Sequence, residues 1–208
     1  MNSDKLETRD KRKQAGTIKL SARLLPVAGF VRQGSRIADV GTDHGYIPVY
    51  LAQTGRIASA LAMDVRPGPL ERAQAHVRDY EERERARRQD VWAVPIHLRL
   101  SDGLKELKPG EADTVIIAGM GGELIIKILD EGRHVWDSVK QYVLSPQSDL
   151  DKVRRYLAAH GFAIEDEAMV KDEGKYYTVM SVKRGFMEYE SQAHYLYGKI
   201  LIDKKDVI

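Results

Sequence analysis

Short apolar runs alternate with longer amphipathic stretches along most of this chain. Five apolar runs predict buried strands, at residues 37–40, 58–63, 96–100, 114–118 and 142–144. Helical spacing of apolar residues predicts helices from Leu20 (with Ser21 as a possible cap), over 45–53, 71–88 and 150–160, and from about Glu123. Strands that alternate with helices in this way predict a parallel, doubly wound sheet.

The last part of the pattern differs. Residues 162–170 and 176–182 have no helical period, and only Asp172, Glu173 and Gly174 stand out as a turn between them. They predict an antiparallel hairpin. The expected fold is therefore α/β, with a mostly parallel seven-stranded sheet that ends in a C-terminal antiparallel hairpin.

The organisation along the chain predicts three parts. Residues 1–19 are polar, with Lys11, Arg12 and Lys13 in a row, and are interpreted as a basic arm. Residues 20–185 form the folded domain, and 186–208 form a linker or the start of a helical C-terminal domain. The interleaved charges of the 71–88 helix favour a solvated face over a nucleic-acid patch.

Composition excludes several chemistries. The chain has 208 residues, 43% of them apolar, enough for one well-cored domain. It has no cysteine, so a disulfide, a thiolate zinc site and pyrimidine C5-methylation through a cysteine nucleophile are excluded. The six histidines lack ligand spacing, and we expect no metal. With no apolar run of membrane-spanning length and no signal-peptide pattern, we expect a cytoplasmic protein that has no membrane association.

Residues 36–46 carry the strongest chemical signal. The first strand ends at Val40 and passes through Gly41 into a turn, where parallel sheets bind ligands. Asp43 stands at the second glycine position of the dinucleotide pattern G-x-G-x-x-G. A carboxylate there would repel a pyrophosphate but would favour the sulfonium and ammonium of S-adenosylmethionine. The pattern therefore favours a methyl donor over NAD, the alternative being a tight turn without a ligand.

Two later strands end in carboxylates at the same predicted edge. Asp64 follows Gly41 by 23 positions, close to the spacing at which an acidic residue binds ribose hydroxyls. Asp102 ends the third strand and is expected near the adenine amine of the cofactor. The run from Gly119 to Gly122 allows either close backbone approach to a ligand or a crowded junction between strand and helix.

Five segments together carry a family likeness: Leu-Ser-Ala-Arg-Leu from Leu20, Ala-Asp-Val-Gly-Thr-Asp-His-Gly-Tyr-Ile-Pro from Ala38, Gly-Pro-Leu from Gly68, Asp-Gly-Leu from Asp102, and Ala-Gly-Met-Gly-Gly from Ala118. From about Leu20 to Val182 the chain resembles the bacterial tRNA (adenine-22-N1)-methyltransferases, the TrmK family. The resemblance implies a Rossmann-like class I methyltransferase domain that binds S-adenosylmethionine and methylates an adenine in the tRNA D-loop.

The site residues expected on these grounds fall into three groups. The catalytic candidates are Asp43, His44 and Met120. The cofactor-binding candidates are Asp39, Gly41, Thr42, Gly45, Asp64, Val65, Asp102, Gly103, Ala118 and Gly119. The candidates for binding the tRNA substrate are Arg23, Arg66, Tyr46, Pro146 and Gln147.

The target atom determines what catalysis requires. N1 of adenine has an in-plane lone pair, so no base is needed to create the nucleophile, and a carboxylate near the developing ring charge would help. Asp43 is the first candidate, and its alternative is to hold the methionine ammonium or to cap a helix. His44 contacts the base or a phosphate, or is bonded into its own turn.

Two other functions remain open from the sequence. One is a small-molecule methyltransferase on the same core, and the other is a protein that binds the cofactor and RNA without catalysis. Whichever applies, we expect a monomer.

Overall fold

A seven-stranded sheet forms the centre of the protein, for which a computed structural model describes residues 17–87 and 93–205. Its strands lie in the order β3-β2-β1-β4-β5-β7-β6. Strands β1 to β5 are mutually parallel, whereas β7 is antiparallel to both β5 and β6. The strands are β1 (Ser35–Val40), β2 (Ile57–Asp64), β3 (Ile96–Leu100), β4 (Thr114–Met120), β5 (Gln141–Pro146), β6 (Phe162–Asp172) and β7 (Lys175–Arg184). This arrangement confirms the fold class that the sequence predicts.

Helices cover both faces of the sheet. They are α1 (Leu25–Phe30), α2 (Tyr46–Gln53), α3 (Pro67–Arg87), α4 (Gly122–Glu131), α5 (Leu150–Ala159) and α6 (Lys199–Lys204). Successive strand residues point to opposite faces, so the apolar run of β4 contributes to two separate cores. Val115 and Ile117 pack in the core that also contains α4 and α5, while Ile116 packs in the core that contains α1, α2 and α3. The near-continuous apolar strands are thus explained by burial on both sides.

Two helices begin elsewhere than predicted. The first regular helix starts at Leu25, not at Leu20, because Pro26 occupies its first turn and Ser21 accepts turn hydrogen bonds from Leu24 and Leu25. The long helix starts at Pro67, four residues before Glu71, since a proline is well suited to a first helical position. Its predicted end at residue 88 and the basic arm up to residue 16 lie outside the described residues.

The chain after β7 folds back onto the sheet edge. The side chains of Arg154 and Glu167 form an ion pair that is almost completely buried, with 2.8 Å between Nη2 and Oε1. Nη1 of Arg154 also donates to the carbonyl oxygens of Tyr195 and Leu196 in a π-helical turn, His194–Gly198. A buried guanidinium needs such partners, and this one fixes the turn that leads into α6.

Candidate active site

One cleft lies at the carboxyl edge of the parallel strands. Its volume is about 650 Å³, within the range of small-molecule sites. The loops after β1, β2, β3 and β4 all contribute to it, as does the first turn of several helices. The cleft is lined by Arg23, Leu24, Asp39, Val40, Gly41, Asp43, Tyr46, Ile47, Asp64, Val65, Arg66, Arg72, Ser101, Asp102, Gly103, Ala118, Gly119, Met120, Leu124, Ile128 and Gln147.

The turn after β1 is held against β2. Backbone amides of Gly41 and Thr42 both donate to the carbonyl oxygen of Met63, at 2.8 and 2.9 Å. Gly41 has a φ of +75°, and a Cβ placed on it would lie 2.0 Å from the terminal methyl of Met120. Only glycine meets both conditions without strain. The Gly41 backbone and the Met120 side chain therefore join the loops after β1 and β4 into one wall of the cleft.

Two carboxylates lie at the inner end of the cleft. Asp39 and Asp64 are only 5% and 7% exposed. Burial raises the pKa of Asp39 from 3.8 to about 6; the Thr42 hydroxyl lowers it in part, and the negative charge of Asp64 raises it further. Oδ1 of Asp64 accepts from the backbone amide of Arg66 at 2.8 Å. Two partly desolvated carboxylates on adjacent strands make this end of the cleft suited to a cationic ligand with hydroxyl groups.

The loop after β3 adds a polar side. The backbone amide of buried Ser101 donates to the carbonyl oxygen of Asp64 at 2.8 Å, which fixes this loop to the end of β2. The Ser101 hydroxyl donates to the carbonyl oxygen of Gly103 at 2.8 Å. The Asp102 carboxylate is exposed, and a hydrogen bond from Lys105 holds its pKa below the usual value. Asp102 thus stays ionised at the side of the cleft.

A tight turn carries Asp43 to the mouth of the cleft. His44 and Gly45 both have left-handed backbones, with φ of +60° and +67°. Oδ1 of Asp43 lies 3.3 Å from Nη2 of Arg72 and 3.4 Å from Nε2 of His44. This carboxylate is 71% exposed. It is therefore accessible to a second substrate and is placed between two side chains that are able to carry positive charge.

Three rings stack behind this turn. The ring centroids of His44 and Tyr46 are 5.2 Å apart and nearly parallel, and those of Tyr46 and His76 are 5.1 Å apart. Nδ1 of His76 donates to the carbonyl oxygen of His44 at 2.7 Å, because a carbonyl oxygen only accepts. The His44 ring thus packs against Tyr46, and Tyr46 itself reaches the cleft.

The glycines after β4 divide into two kinds. Gly119 lines the cleft with a φ of +80°. Gly122, in contrast, packs against the loop after β5, where an added Cβ would lie 2.5 Å from the carbonyl oxygen of Ser148. Gly119 therefore has room beside it on the cleft side, whereas Gly122 forms a crowded junction between strand and helix.

Most of the predicted site residues meet in this cleft. The exceptions among them, which do not line it, are Thr42, His44, Gly45 and Pro146. The sequence interpretation missed seven lining residues: Leu24, Val40, Ile47, Arg72, Ser101, Leu124 and Ile128. A usable signal existed for four of these. They lie in the first two turns of helices that follow parallel strands, and such turns lie at the carboxyl edge: Ile47, Arg72, Leu124 and Ile128.

Among the described residues, 17–87 and 93–205, no group of three or more His, Asp or Glu side chains is arranged to hold a metal ion. No helix in these ranges is both long and apolar enough to cross a membrane.

The sheet order and the acidic carboxyl-edge cleft define a Rossmann-like domain of the methyltransferase type. A family model described as a methyltransferase domain matches residues 20–180. The tRNA (adenine(22)-N(1))-methyltransferase of Bacillus subtilis (strain 168) is 33% identical over 168 residues, which are 81% of this chain and 66% of that protein. The chain therefore spans slightly less than two thirds of that relative's length.

Solved structures agree with this likeness. The crystal structure of the B. subtilis m1A22 tRNA methyltransferase TrmK has a TM-score of 0.78 and 31% identity, over 90% of this chain and 78% of that one. M. capricolum TrmK, in complex with S-adenosyl-homocysteine, has a TM-score of 0.71 and 25% identity, over 86% and 76% of the two chains. The chain belongs to the methyltransferase domain family and, within it, to the TrmK proteins.

Proposed function

We propose that this protein is an S-adenosylmethionine-dependent methyltransferase that acts on N1 of adenine 22 in tRNA. The observation that carries the proposal is the pair of buried carboxylates, Asp39 and Asp64, in a cleft of suitable volume at the carboxyl edge of the sheet. The names of the relatives, which are tRNA m1A22 methyltransferases, support the substrate. A cytoplasmic monomer is part of the same proposal.

The cleft fits the cofactor by the chemistry of its residues. S-adenosylmethionine carries a sulfonium and an ammonium, and it offers ribose hydroxyls and an adenine amine as donors. Oδ1 of Asp64 already accepts from the backbone amide of Arg66, and Oδ2 accepts from the ribose hydroxyls. Asp102 accepts from the adenine amine. Asp39 stabilises the ammonium end. The Gly119 backbone lets the ligand approach closely because it has no Cβ, whereas the Met120 methyl fills the space beside Gly41.

The proposed role of Asp43 follows from charge. The cofactor would supply an electrophilic methyl on a sulfonium, so that after transfer to N1 the positive charge resides on the adenine ring. An ionised carboxylate held beside the base favours the ring as it becomes cationic. Asp43 is the exposed carboxylate at the mouth of the cleft, and Arg72 and His44 restrict its orientation. Met120, which also lines the cleft, packs against the base.

The mouth of the cleft carries cations for an RNA substrate. Arg23, Arg66 and Arg72 all line it, and their positive charges are suited to backbone phosphates around a target base. Asp39 and Asp64 lie deeper, where they meet the cationic cofactor, while Asp43 and Asp102 are exposed. Arginines at the entrance favour a polyanionic substrate, because a small neutral substrate gains nothing from positive charges there.

Methyl transfer from labelled cofactor tests the proposal. Intact tRNA transcript, the same transcript after nuclease digestion, and free adenosine are compared as acceptors. We expect label only in intact tRNA, because phosphate contacts contribute most of the affinity for a nucleic acid. If free adenosine is labelled as strongly as intact tRNA, the proposed RNA substrate is contradicted. If the protein binds the cofactor tightly but labels none of the acceptors, the proposed methyltransferase activity is contradicted.

A further inference from the structure

The hairpin formed by β6 and β7 extends beyond the edge of the sheet that carries the cleft. Leu144 of β5 pairs with Met180 of β7, and β5 ends two residues later. Strand β7 begins at Lys175, five residues before Met180. The hairpin therefore projects about three residues past β5, roughly 10 Å at 3.3 Å per residue. Its two strands stay paired to the tip, where Asp172 lies opposite Lys175.

The inner face of the hairpin contacts the wall of the cleft. Oδ2 of Asp172 accepts from the backbone amide of Arg23 at 3.2 Å. The Arg23 guanidinium carbon lies 5.7 Å from the centroid of the Tyr177 ring, a cation-π distance. Since Arg23 itself lines the cleft, this face joins the hairpin directly to the proposed active site.

The outer face of the hairpin presents an aromatic ring and a cation to solvent. Tyr176 is 57% exposed. Lys171 lies opposite it in the strand pairing, with Nζ 5.3 Å from the ring centroid. Lys175 is also exposed at the tip, but it pairs with Asp172 and lies on the inner face, because successive strand residues point to opposite faces. Glu173 is exposed in the turn between the strands. Exposed rings beside cations are one means by which proteins bind single-stranded nucleotides.

We propose that the tip of this hairpin binds unpaired nucleotides of the RNA next to the target base, an inference that rests on the proposed function. Tyr176 stacks on a base, while Lys171 on the same face and Lys175 at the tip contact phosphates. The inner face, through Tyr177 and Arg23, holds the tip in a fixed position relative to the cleft. RNA bound there would approach Asp43 and Met120 from the β7 side.

The chain offers a matched control. Phe186 is 83% exposed, more than Tyr176, but it follows the end of β7 at the opposite edge of the sheet. The test compares Tyr176→Ala, Tyr176→Phe and Phe186→Ala for tRNA affinity, cofactor affinity and melting temperature. Because loss of one stacked base costs about 1–3 kcal/mol, we expect Tyr176→Ala to weaken tRNA binding about 5- to 150-fold. Tyr176→Phe and Phe186→Ala should stay within about twofold, and cofactor affinity should not change.

A second variant tests the phosphate contacts. Lys171→Gln with Lys175→Gln should lower the slope of log affinity against log salt by about 1 to 2, since each lost contact releases fewer counterions. If wild type methylates tRNA but Tyr176→Ala binds it within twofold of wild type, the hairpin proposal is overturned and the proposed function stands. If wild type neither binds nor methylates tRNA, both are overturned.

Discussion

The carboxylate of Asp43 and the guanidinium of Arg72 lie 3.3 Å apart at the mouth of the cleft, although 29 positions separate them in the chain. Both side chains are largely exposed, at 71% and 49%. Exposed pairs of this kind contribute about 0 to 1 kcal/mol. The ion pair therefore orients the Asp43 side chain, but its attraction is weak. The negative charge of the carboxylate stays available to a second substrate.

The first prediction separates the two residues of this pair. Asp43→Ala should lower the single-turnover rate at saturating cofactor and tRNA on the order of 100-fold, because it removes a fixed charge beside the methylated ring. Arg72→Ala should change that rate less than about fivefold, the equivalent of 1 kcal/mol. If Asp43 only held the methionine ammonium, its substitution would raise the cofactor dissociation constant and leave the saturated rate intact.

The second prediction concerns Asp39 and pH. Its pKa is raised from 3.8 to about 6 in the folded protein, so the stability it contributes is complete below 3.8 and is lost as pH rises through 6. Asp39→Asn should therefore stabilise the ligand-free protein by about 3 kcal/mol at pH 8, but only by about 1 kcal/mol at pH 4.5. Urea unfolding at the two pH values measures this. If Asp39→Asn changed the free energy of unfolding equally at both pH values, ionisation of Asp39 would be excluded as the cause.

The same carboxylate should make cofactor binding depend on pH. A cationic ligand favours the ionised form, so wild-type affinity should fall as pH drops below about 6. Calorimetry should show that Asp39→Asn binds more weakly at pH 8, by at least about 1.5 kcal/mol, and has a flatter pH profile. A wild-type affinity that is constant from pH 5 to 8 would contradict the assignment of Asp39 to the cation.

The third prediction concerns the contact between Gly41 and Met120. Gly41→Ala should destabilise the protein by at least about 1–2 kcal/mol, the cost of a left-handed backbone for a residue with a Cβ. The terminal methyl of Met120 lies at the end of a flexible side chain and can move aside at little cost. The loss caused by Gly41→Ala should therefore be the same, within about 0.5 kcal/mol, when it is combined with Met120→Ala. A larger coupling in denaturant unfolding would show that Met120 is held rigidly against Gly41.

The fourth prediction concerns the tRNA footprint. Helix α3 has 21 residues and is about 30 Å long, so Arg85 and Arg87 in its last turn lie far from the cleft that begins beside Pro67. Arg23→Glu with Arg66→Glu should weaken tRNA binding at least tenfold and reduce its salt dependence. Arg85→Glu with Arg87→Glu is the control with the same change of charge. A stronger effect of the control pair in gel-shift titrations would place the RNA elsewhere.

The site residues that could be predicted from the sequence are those that lie at the carboxyl ends of strands. Asp39, Gly41, Asp64 and Asp102 could be placed together because each follows or ends a parallel strand, and the carboxyl ends of such strands share one edge. Helix boundaries were less predictable. The spacing of apolar residues predicted a first helix that begins at Leu20, whereas the helix begins at Leu25. The spacing contains no information about the start of the helix, which Pro26 in the first turn determines.

Contacts between distant segments could not be read from local patterns. Arg72 looked like one more charge on a solvated helix, and only the packing of α3 brings it to Asp43. Met120 was predicted at the site, but its fit against Gly41 depends on the adjacency of β1 and β4. Likewise, the predicted hairpin gave no indication that Arg23 would bind its tip.

Mapping the methylated nucleotide tests the central claim most directly. The protein is incubated with S-adenosylmethionine and either a tRNA transcript with adenine at position 22 or the same transcript with guanine there. Mass spectrometry and reverse-transcription arrest then locate the product. We expect one N1-methyladenine at position 22 in the first transcript and none in the second. Methylation of both transcripts at another position, or at an exocyclic amine, would contradict the proposed function.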